Sequence, residues 1–175
     1  MMDSQKDLNL FFIDYDRVNH EKLMEVLTEA GIPSHERRLV CGIYWNQSAK
    51  VKLTSGTTED IIIQPGVRQG CILSPSLFYL YNEYLLQEAI SEKSGILING
   101  VNINNIRYPY DTVILAEPEE QLQAMLDRII DKCKEYGMEI NPKKTKAMHI
   151  GRDTKTLTTT VGNALLEQVS KYSYL

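Results

Sequence analysis

The pattern of apolar and polar residues predicts four helices joined by short strands. The clearest helix covers residues 118–136, because its apolar residues recur every three to four positions and Gly137 ends it. Three more helices are predicted at 20–30, after Ser34, and at 75–91. The apolar stripe of each helix indicates a face packed in a core, and none indicates a cofactor site.

Short apolar runs predict strands around these helices. The strand at 9–15 ends in a carboxylate, and Asn99-Gly100 between 96–98 and 101–103 is a strong hairpin signal. A second hairpin is predicted to pair 50–53 with 61–64 around Thr54-Ser55-Gly56. Further strands are predicted at 106–108, 112–115, 138–140, 146–150, 156–161 and 164–166. Because strands and helices do not alternate strictly, the predicted fold is an α+β domain with helices packed on one face of an antiparallel sheet.

Composition is typical of a globular protein of one domain, with 43% hydrophobic and 24% charged residues among 175. Three scattered cysteines, no signal-peptide pattern and no long apolar run predict free thiols and an intracellular location, either cytoplasmic or nuclear. The net charge of −4 argues against strong nonspecific binding to nucleic acid, which depends on Lys and Arg neutralising phosphates.

The most informative stretch is 66–78, Gly-Val-Arg-Gln-Gly-Cys-Ile-Leu-Ser-Pro-Ser-Leu-Phe. Gly66 and Gly70 permit backbone angles that a Cβ would disfavour, and Ser74 begins a helix. The loop between the glycines could present the side chains of Arg68 and Gln69 to a partner. Judged from the residues alone, a capped core helix after an ordinary loop is an equally good interpretation.

This stretch resembles the substrate- and template-contacting motif of reverse transcriptases from non-LTR (LINE-type) retrotransposons, matching it in one ungapped run apart from Ile72, where the family usually has proline. The resemblance extends along the chain. Residues 12–20 resemble the first catalytic motif, 108–111 the turn that carries paired aspartates, and 136–146 the motif whose lysine assists pyrophosphate departure.

The resemblance implies an RNA-directed DNA polymerase, a transposable-element enzyme that copies RNA with two Mg²⁺ ions. It implies a palm-like antiparallel sheet with helices on one face, partial fingers and no thumb, within a single domain at 1–175 that is truncated at its C-terminal end. Its implied partners are an RNA template and a DNA primer, without a membrane.

Each implied site residue has a position in this sequence. Asp14 and Asp111 would be catalytic metal ligands, and Lys144 the assisting acid. Nucleotide and template contacts would come from Tyr15, Arg68, Gln69 and Gly70.

Two departures from the family pattern concern the chemistry. Tyr110 occupies the place of the first paired aspartate, and a phenol is neutral at pH 7. The first motif also lacks about four residues, including the aromatic residue that closes over the nucleotide sugar. We therefore expect a degenerate reverse transcriptase with little or no activity. The alternatives are a domesticated, non-catalytic module that binds nucleic acid or protein, and an enzyme that borrows its missing parts from another chain.

Overall fold

The computed structural model describes residues 6–12, 17–45, 47–63, 66–67, 70–108, 111–151 and 155–172, with side chains described except at 6–12 and Tyr108. The chain divides into two compact units, which comprise the described parts of 1–14 with 83–175 and of 15–82. In the described part of the chain, no helix combines the length and the apolar character needed to cross a membrane.

The described residues form four helices and thirteen short strands. The helices are α1 (His20–Glu29), α2 (Ser34–Tyr44), α3 (Ser74–Ala89) and α4 (Glu119–Glu135). The strands are β1 (Lys6–Phe12), β2 (Gln47–Ala49), β3 (Lys52–Leu53), β4 (Gly56–Thr57), β5 (Ile61–Ile63), β6 (Ile96–Ile98), β7 (Val101–Ile103), β8 (Asn105–Tyr108), β9 (Asp111–Ala116), β10 (Lys146–Ile150), β11 (Thr160–Val161), β12 (Ala164–Leu165) and β13 (Glu167–Gln168). All four predicted helices are therefore confirmed.

The first unit is built on a five-stranded sheet with the order β13-β10-β1-β9-β8. Strand β1 pairs antiparallel with both β9 and β10, and β8 pairs antiparallel with β9. Only the short outer strand β13 runs parallel to its neighbour β10. The predicted α+β class and its mainly antiparallel sheet are thus confirmed.

Strand β9 is buried on both faces, which explains its continuous apolar run. Val113 and Leu115 pack in a cluster with Ile96, Ile103 and Tyr172. Because side chains alternate along a strand, the residues between these two point to the opposite face of the sheet. Helix α4 contacts both β9 and β1 and completes the core of this unit.

Helix α4 carries the apolar stripe that the sequence predicts. Its inward residues Leu122, Met125, Leu126 and Ile129 are fully buried, and Cys133 is nearly so. At its C-terminal end, the Tyr136 hydroxyl donates a 2.6 Å hydrogen bond to Glu88, which lies in the last turns of α3. Polar contacts therefore hold the end of α3 on α4 in addition to apolar packing.

The second unit contains α1, α2, the first turns of α3 and two small β ribbons. Its core includes Leu23 and Val26 of α1, Tyr44 of α2, and Phe78 and Tyr81 of α3. The predicted pairing of 50–53 with 61–64 is wrong. Strand β5 pairs with β2, and β3 pairs with β4 through a tight turn at Thr54 and Ser55. Two nested short hairpins replace the single predicted one, and the inner hairpin turns at the predicted Thr54-Ser55.

Two further strand predictions have different outcomes. The Asn99-Gly100 hairpin is confirmed, and both turn residues have positive φ, as a type I′ turn requires. The strand predicted at 138–140 is wrong, since only Ile140 forms an isolated bridge. Met138 and Ile140 are buried, so their alternation reflects packing of a loop against the core.

Gly95 packs closely against the backbone at the end of the β6–β7 hairpin. A Cβ on Gly95 would lie 2.5 Å from the Ile103 carbonyl oxygen, and its φ is +118°. We expect Gly95→Ala to lower the free energy of unfolding by about 3 kcal/mol or more. Gly100→Ala is the matched control, because its φ is +82° but a Cβ there would have open space. Its cost should be only about 1–2 kcal/mol. Chemical denaturation showing equal losses would contradict the steric assignment.

Candidate active site

Three of the predicted site residues lie within the described residues, namely Gly70, Asp111 and Lys144. The other four, Asp14, Tyr15, Arg68 and Gln69, lie outside the described residues, as does Tyr110. Asp111 and Lys144 belong to the first unit, which we call the sheet unit. Gly70 belongs to the second unit, residues 15–82, which we call the helical unit. The described site residues therefore lie in two separate parts of the chain.

Asp111 and Lys144 approach the same end of the central strand. Asp111 is the first residue of β9 and pairs with Phe12, the last residue of β1. On the other side of β1, Lys146 pairs with Leu10, and Lys144 precedes it by two residues. Strands lie about 4.8 Å apart, so β9 and β10 are separated by about 10 Å across β1. The sheet register thus brings these two predicted residues to the same end of the sheet.

Asp111 is partly buried, and burial raises the pKa of its carboxyl group above the ordinary value of 3.8. By strand alternation it shares a face with Val113 and Leu115, where Tyr172 packs. Burial, together with the negative charge of Asp111, raises the pKa of the Tyr172 hydroxyl. Tyr172 is a neighbour of the candidate site that the sequence analysis missed, because it lies outside every recognised motif and 61 positions from Asp111.

Lys144 lies in a turn that Asn141 shapes. The Asn141 side-chain oxygen accepts hydrogen bonds from the backbone N–H groups of Lys143 at 3.1 Å and Lys144 at 3.4 Å. Both lysines are exposed, whereas Lys146 forms an ion pair with Glu167. The turn therefore presents the Lys144 side chain to solvent at the end of the sheet where Asp111 lies.

The glycine loop in the helical unit has the backbone that its sequence predicts. Gly66 has φ +100° and Gly70 has φ +81°. A Cβ at Gly70 would meet no atom within 4 Å, so the backbone angle alone favours glycine there. Val67 is buried, and Ile72 is 97% exposed. Isoleucine at the family's usual proline position therefore contributes almost no packing.

The described residues do not form a metal site. In the parts of the chain that the structure describes, no group of three His, Cys, Asp or Glu side chains lies close enough to hold a metal ion. Asp111 contributes one carboxylate, and the residue before it in the sequence is a tyrosine. Two Mg²⁺ ions require several converging oxygen ligands, so this donor set does not fit such a pair.

A groove of about 390 Å³ beside α4 contains none of the predicted site residues. Its polar residues largely bond to each other: Glu119 accepts hydrogen bonds from the Thr158 backbone N–H and hydroxyl, and Gln123 bonds the backbone of Thr160. These contacts dock the β11 segment on α4, so the groove is a structural junction.

The raised pKa of Asp111 predicts a dependence of stability on pH. Above pH 3.8 the unfolded chain releases this proton more readily than the folded chain, so the Asp111 contribution to the free energy of unfolding falls as pH rises. It stays low above the raised pKa. We therefore expect Asp111→Asn to stabilise the fold at pH 7 and to have no such effect below pH 3.8.

Urea denaturation at several pH values measures this effect. Asp131→Asn is a suitable control, because Asp131 is exposed on α4 and pairs with the neighbouring Lys134 at the surface. A stabilisation by Asp111→Asn that does not change with pH would contradict the burial assignment.

Comparison with known proteins identifies the family. The family described as "Reverse transcriptase (RNA-dependent DNA polymerase)" matches residues 10–175. The Pol polyprotein of a type-1 R2 retrotransposable element from Nasonia vitripennis is 29% identical over 163 residues, which cover 89% of this chain and 16% of that protein. The corresponding R2 polyprotein from Bradysia coprophila is 30% identical over 158 residues, covering 86% of this chain and 18% of the relative. The chain thus spans less than a fifth of the length of these relatives.

A solved structure shares the fold. Apo telomerase from Candida tropicalis, truncated from its C-terminal domain, superposes with a TM-score of 0.64 at 19% identity and covers 87% of this chain and 32% of that one. At this identity the likeness shows a common polymerase fold of mixed helices and strands. The family match over nearly the whole chain and the similarity to R2 proteins establish that this chain belongs to the reverse transcriptase family and contains a reverse transcriptase domain similar to those of non-LTR R2 retrotransposons.

Proposed function

We propose that this chain is a degenerate reverse transcriptase palm, in which an altered metal site leaves little or no RNA-directed DNA synthesis. The observation that carries the proposal is the register of the central sheet, which pairs Asp111 with Phe12. Asp14 follows Phe12 by two residues in the sequence. This spacing supports an Asp14–Asp111 pair at one end of the sheet, where the family's catalytic carboxylates would be expected.

The residue before Asp111 in the sequence explains why we expect low activity. When bound, two divalent ions about 3.5–4 Å apart stabilise the attacking and leaving oxygens of nucleotidyl transfer. Tyr110 stands where the shared ligand would be, and its neutral phenol cannot replace a carboxylate there. Changes one shell further from a metal typically cost about 10–100-fold in affinity or activity. Loss of a direct carboxylate ligand should cost at least as much, so Mg²⁺ binding should be weak.

The chain's own residues support the remaining roles in this proposal. Lys144 is exposed at the end of the sheet that carries Asp111, where a cationic acid could protonate departing pyrophosphate. The loop with Arg68, Gln69 and Gly70 would contact the RNA template and the nucleotide, and Tyr15 would lie beside Asp14. A net charge of −4 predicts modest affinity for the template and the DNA primer.

A second candidate, a non-catalytic module that binds protein, is favoured by one observation. Strand β5 consists of Ile61, Ile62 and Ile63, which are 55%, 69% and 40% exposed. Three consecutive exposed isoleucines place apolar surface on both faces of a two-stranded ribbon. Such a ribbon suits contact with another protein better than contact with phosphate.

Primer extension with a DNA primer on an RNA template distinguishes the two candidates. We expect the natural chain to extend the primer at least about 100-fold more slowly than Tyr110→Asp, in Mg²⁺ and in Mn²⁺. The reason is that the substitution restores the carboxylate that a two-ion site needs. The rate of nucleotide incorporation by folded protein, checked by circular dichroism, is the measurement.

Asp111→Asn in the Tyr110→Asp background is the control, because it removes the other carboxylate of the same turn. Robust extension by the natural chain that disappears on Asp111→Asn alone would refute the proposed inactivity. No extension by any folded variant would assign the defect to the shortened first motif or to parts beyond this sheet, and would favour the binding module.

A further inference from the structure

We propose that His20 is a positioning residue that holds the glycine loop in the conformation required for template binding. The inference rests on the proposed function of that loop, because it assigns to His20 the placement of Gly66 and the residues that follow. All the contacts that carry it lie within the helical unit. His20 is the first residue of α1 and the last residue of the segment, 12–20, that resembles the first catalytic motif.

Two hydrogen bonds bracket Gly66. The Gly66 N–H donates to the Val18 carbonyl oxygen at 2.9 Å. The Gly66 carbonyl oxygen lies 2.8 Å from His20 Nε2, which donates to it in the tautomer with the proton on Nε2. Both backbone groups of one glycine are therefore bonded to residues that lie 46 and 48 positions earlier in the chain. Since Gly66 has φ +100°, these bonds select one of the many conformations open to glycine.

The His20 ring is itself held in place. Its centroid lies 4.8 Å from that of Trp45 with the planes inclined by 35°, and 6.4 Å from that of Tyr44. These are the distances of packed aromatic rings. Asn19 caps α1 by accepting hydrogen bonds from Glu21 and Lys22, so the backbone that carries His20 is also fixed. These contacts therefore hold the imidazole in a fixed position beside Gly66.

The same aromatic group holds the far end of the loop. The Tyr44 hydroxyl lies 2.8 Å from the Ser74 hydroxyl, where α3 begins, and 3.5 Å from the sulfur of Cys71. Tyr44 and Ser74 are both buried. Contacts from His20 at Gly66 and from Tyr44 at Ser74 thus fix the two ends of the loop. A loop ordered before binding loses less conformational entropy when it meets a ligand, which increases affinity.

His20→Leu tests the proposal through the loop itself, without nucleic acid. The substitution removes the donor to Gly66 but keeps an apolar side chain against Trp45. The Gly66 amide is itself bonded to Val18 and reports the opening of this segment. We expect it to exchange its hydrogen about tenfold faster, because loss of the His20 bond to the Gly66 carbonyl makes opening easier by about one net hydrogen bond. The Ile32 amide, bonded to Leu27 in the same unit, should keep its rate. Hydrogen exchange followed by NMR measures both.

Two variants control for general effects. His35→Leu makes the same change at an exposed position of α2 and should leave the exchange of Gly66 unchanged. His20→Gln retains an Nε2 donor at similar reach and should restore most of the protection. Trp45 is the sole tryptophan, so its fluorescence should change in His20→Leu and not in His35→Leu. Unchanged exchange of Gly66 in His20→Leu would overturn the positioning role.

Binding of a labelled RNA–DNA heteroduplex, measured by fluorescence anisotropy, separates this inference from the proposed function. If the natural chain binds, His20→Leu should raise Kd about tenfold, whereas His20→Gln and His35→Leu should not. Equal affinity of His20→Leu and the natural chain would overturn the link to template binding. If the natural chain does not bind, template binding by this loop is refuted, and the exchange of Gly66 still decides whether His20 positions it.

Discussion

The antiparallel pairing of β1 with both β9 and β10 is the constraint on which the rest of the sheet unit depends. It places a strand from the start of the chain between two strands that lie about a hundred residues or more later. Pairs so distant in sequence form only when burial offsets the entropy of closing long loops. Complete burial of β9 from Val113 to Ala116 and the inward stripe of α4 supply that burial. The register that results brings Asp111 and Lys144 to the same end of β1.

A carboxylate at this position opposes stability. Asp111 is partly buried, and desolvation raises its pKa, so its charged form costs free energy in the folded protein. The adjacent Tyr172 covers the same face, and burial together with the charge of Asp111 raises the pKa of its hydroxyl, so this phenol stays neutral there. A carboxylate that is retained where burial disfavours its charge is typical of a functional position. In this chain the charge remains at Asp111, while its sequence neighbour is the uncharged Tyr110.

In the helical unit, side chains of α1 and α2 bond the two ends of the glycine-containing loop. Gly66 and Gly70 are needed for their positive φ, yet glycine also gives an unconstrained chain its greatest freedom. Aromatic side chains from α1 and α2 compensate by bonding the loop at Gly66 and Ser74. The exposed isoleucines of β5 belong to this unit too, so it also carries an apolar surface.

Local patterns in the sequence were sufficient for the helices, the Asn99-Gly100 hairpin and the family, because these depend on neighbours in the chain or on motif residues. The apolar spacing of α4 and the Gly-Val-Arg-Gln-Gly run could be recognised without knowing any contact. The sequence did not reveal the pairing of β5 with β2, the short parallel strand β13 or the loop at Met138. Strand partners are set by competition between separate segments of the chain, which local patterns do not show. For the same reason, only the tertiary structure revealed that Tyr172 lies beside Asp111 and that His20 bonds Gly66. The sequence by itself determined which chemical groups this reverse transcriptase domain retains, and the folded chain decided which of them meet, since packing and hydrogen bonding act between residues that sequence separates.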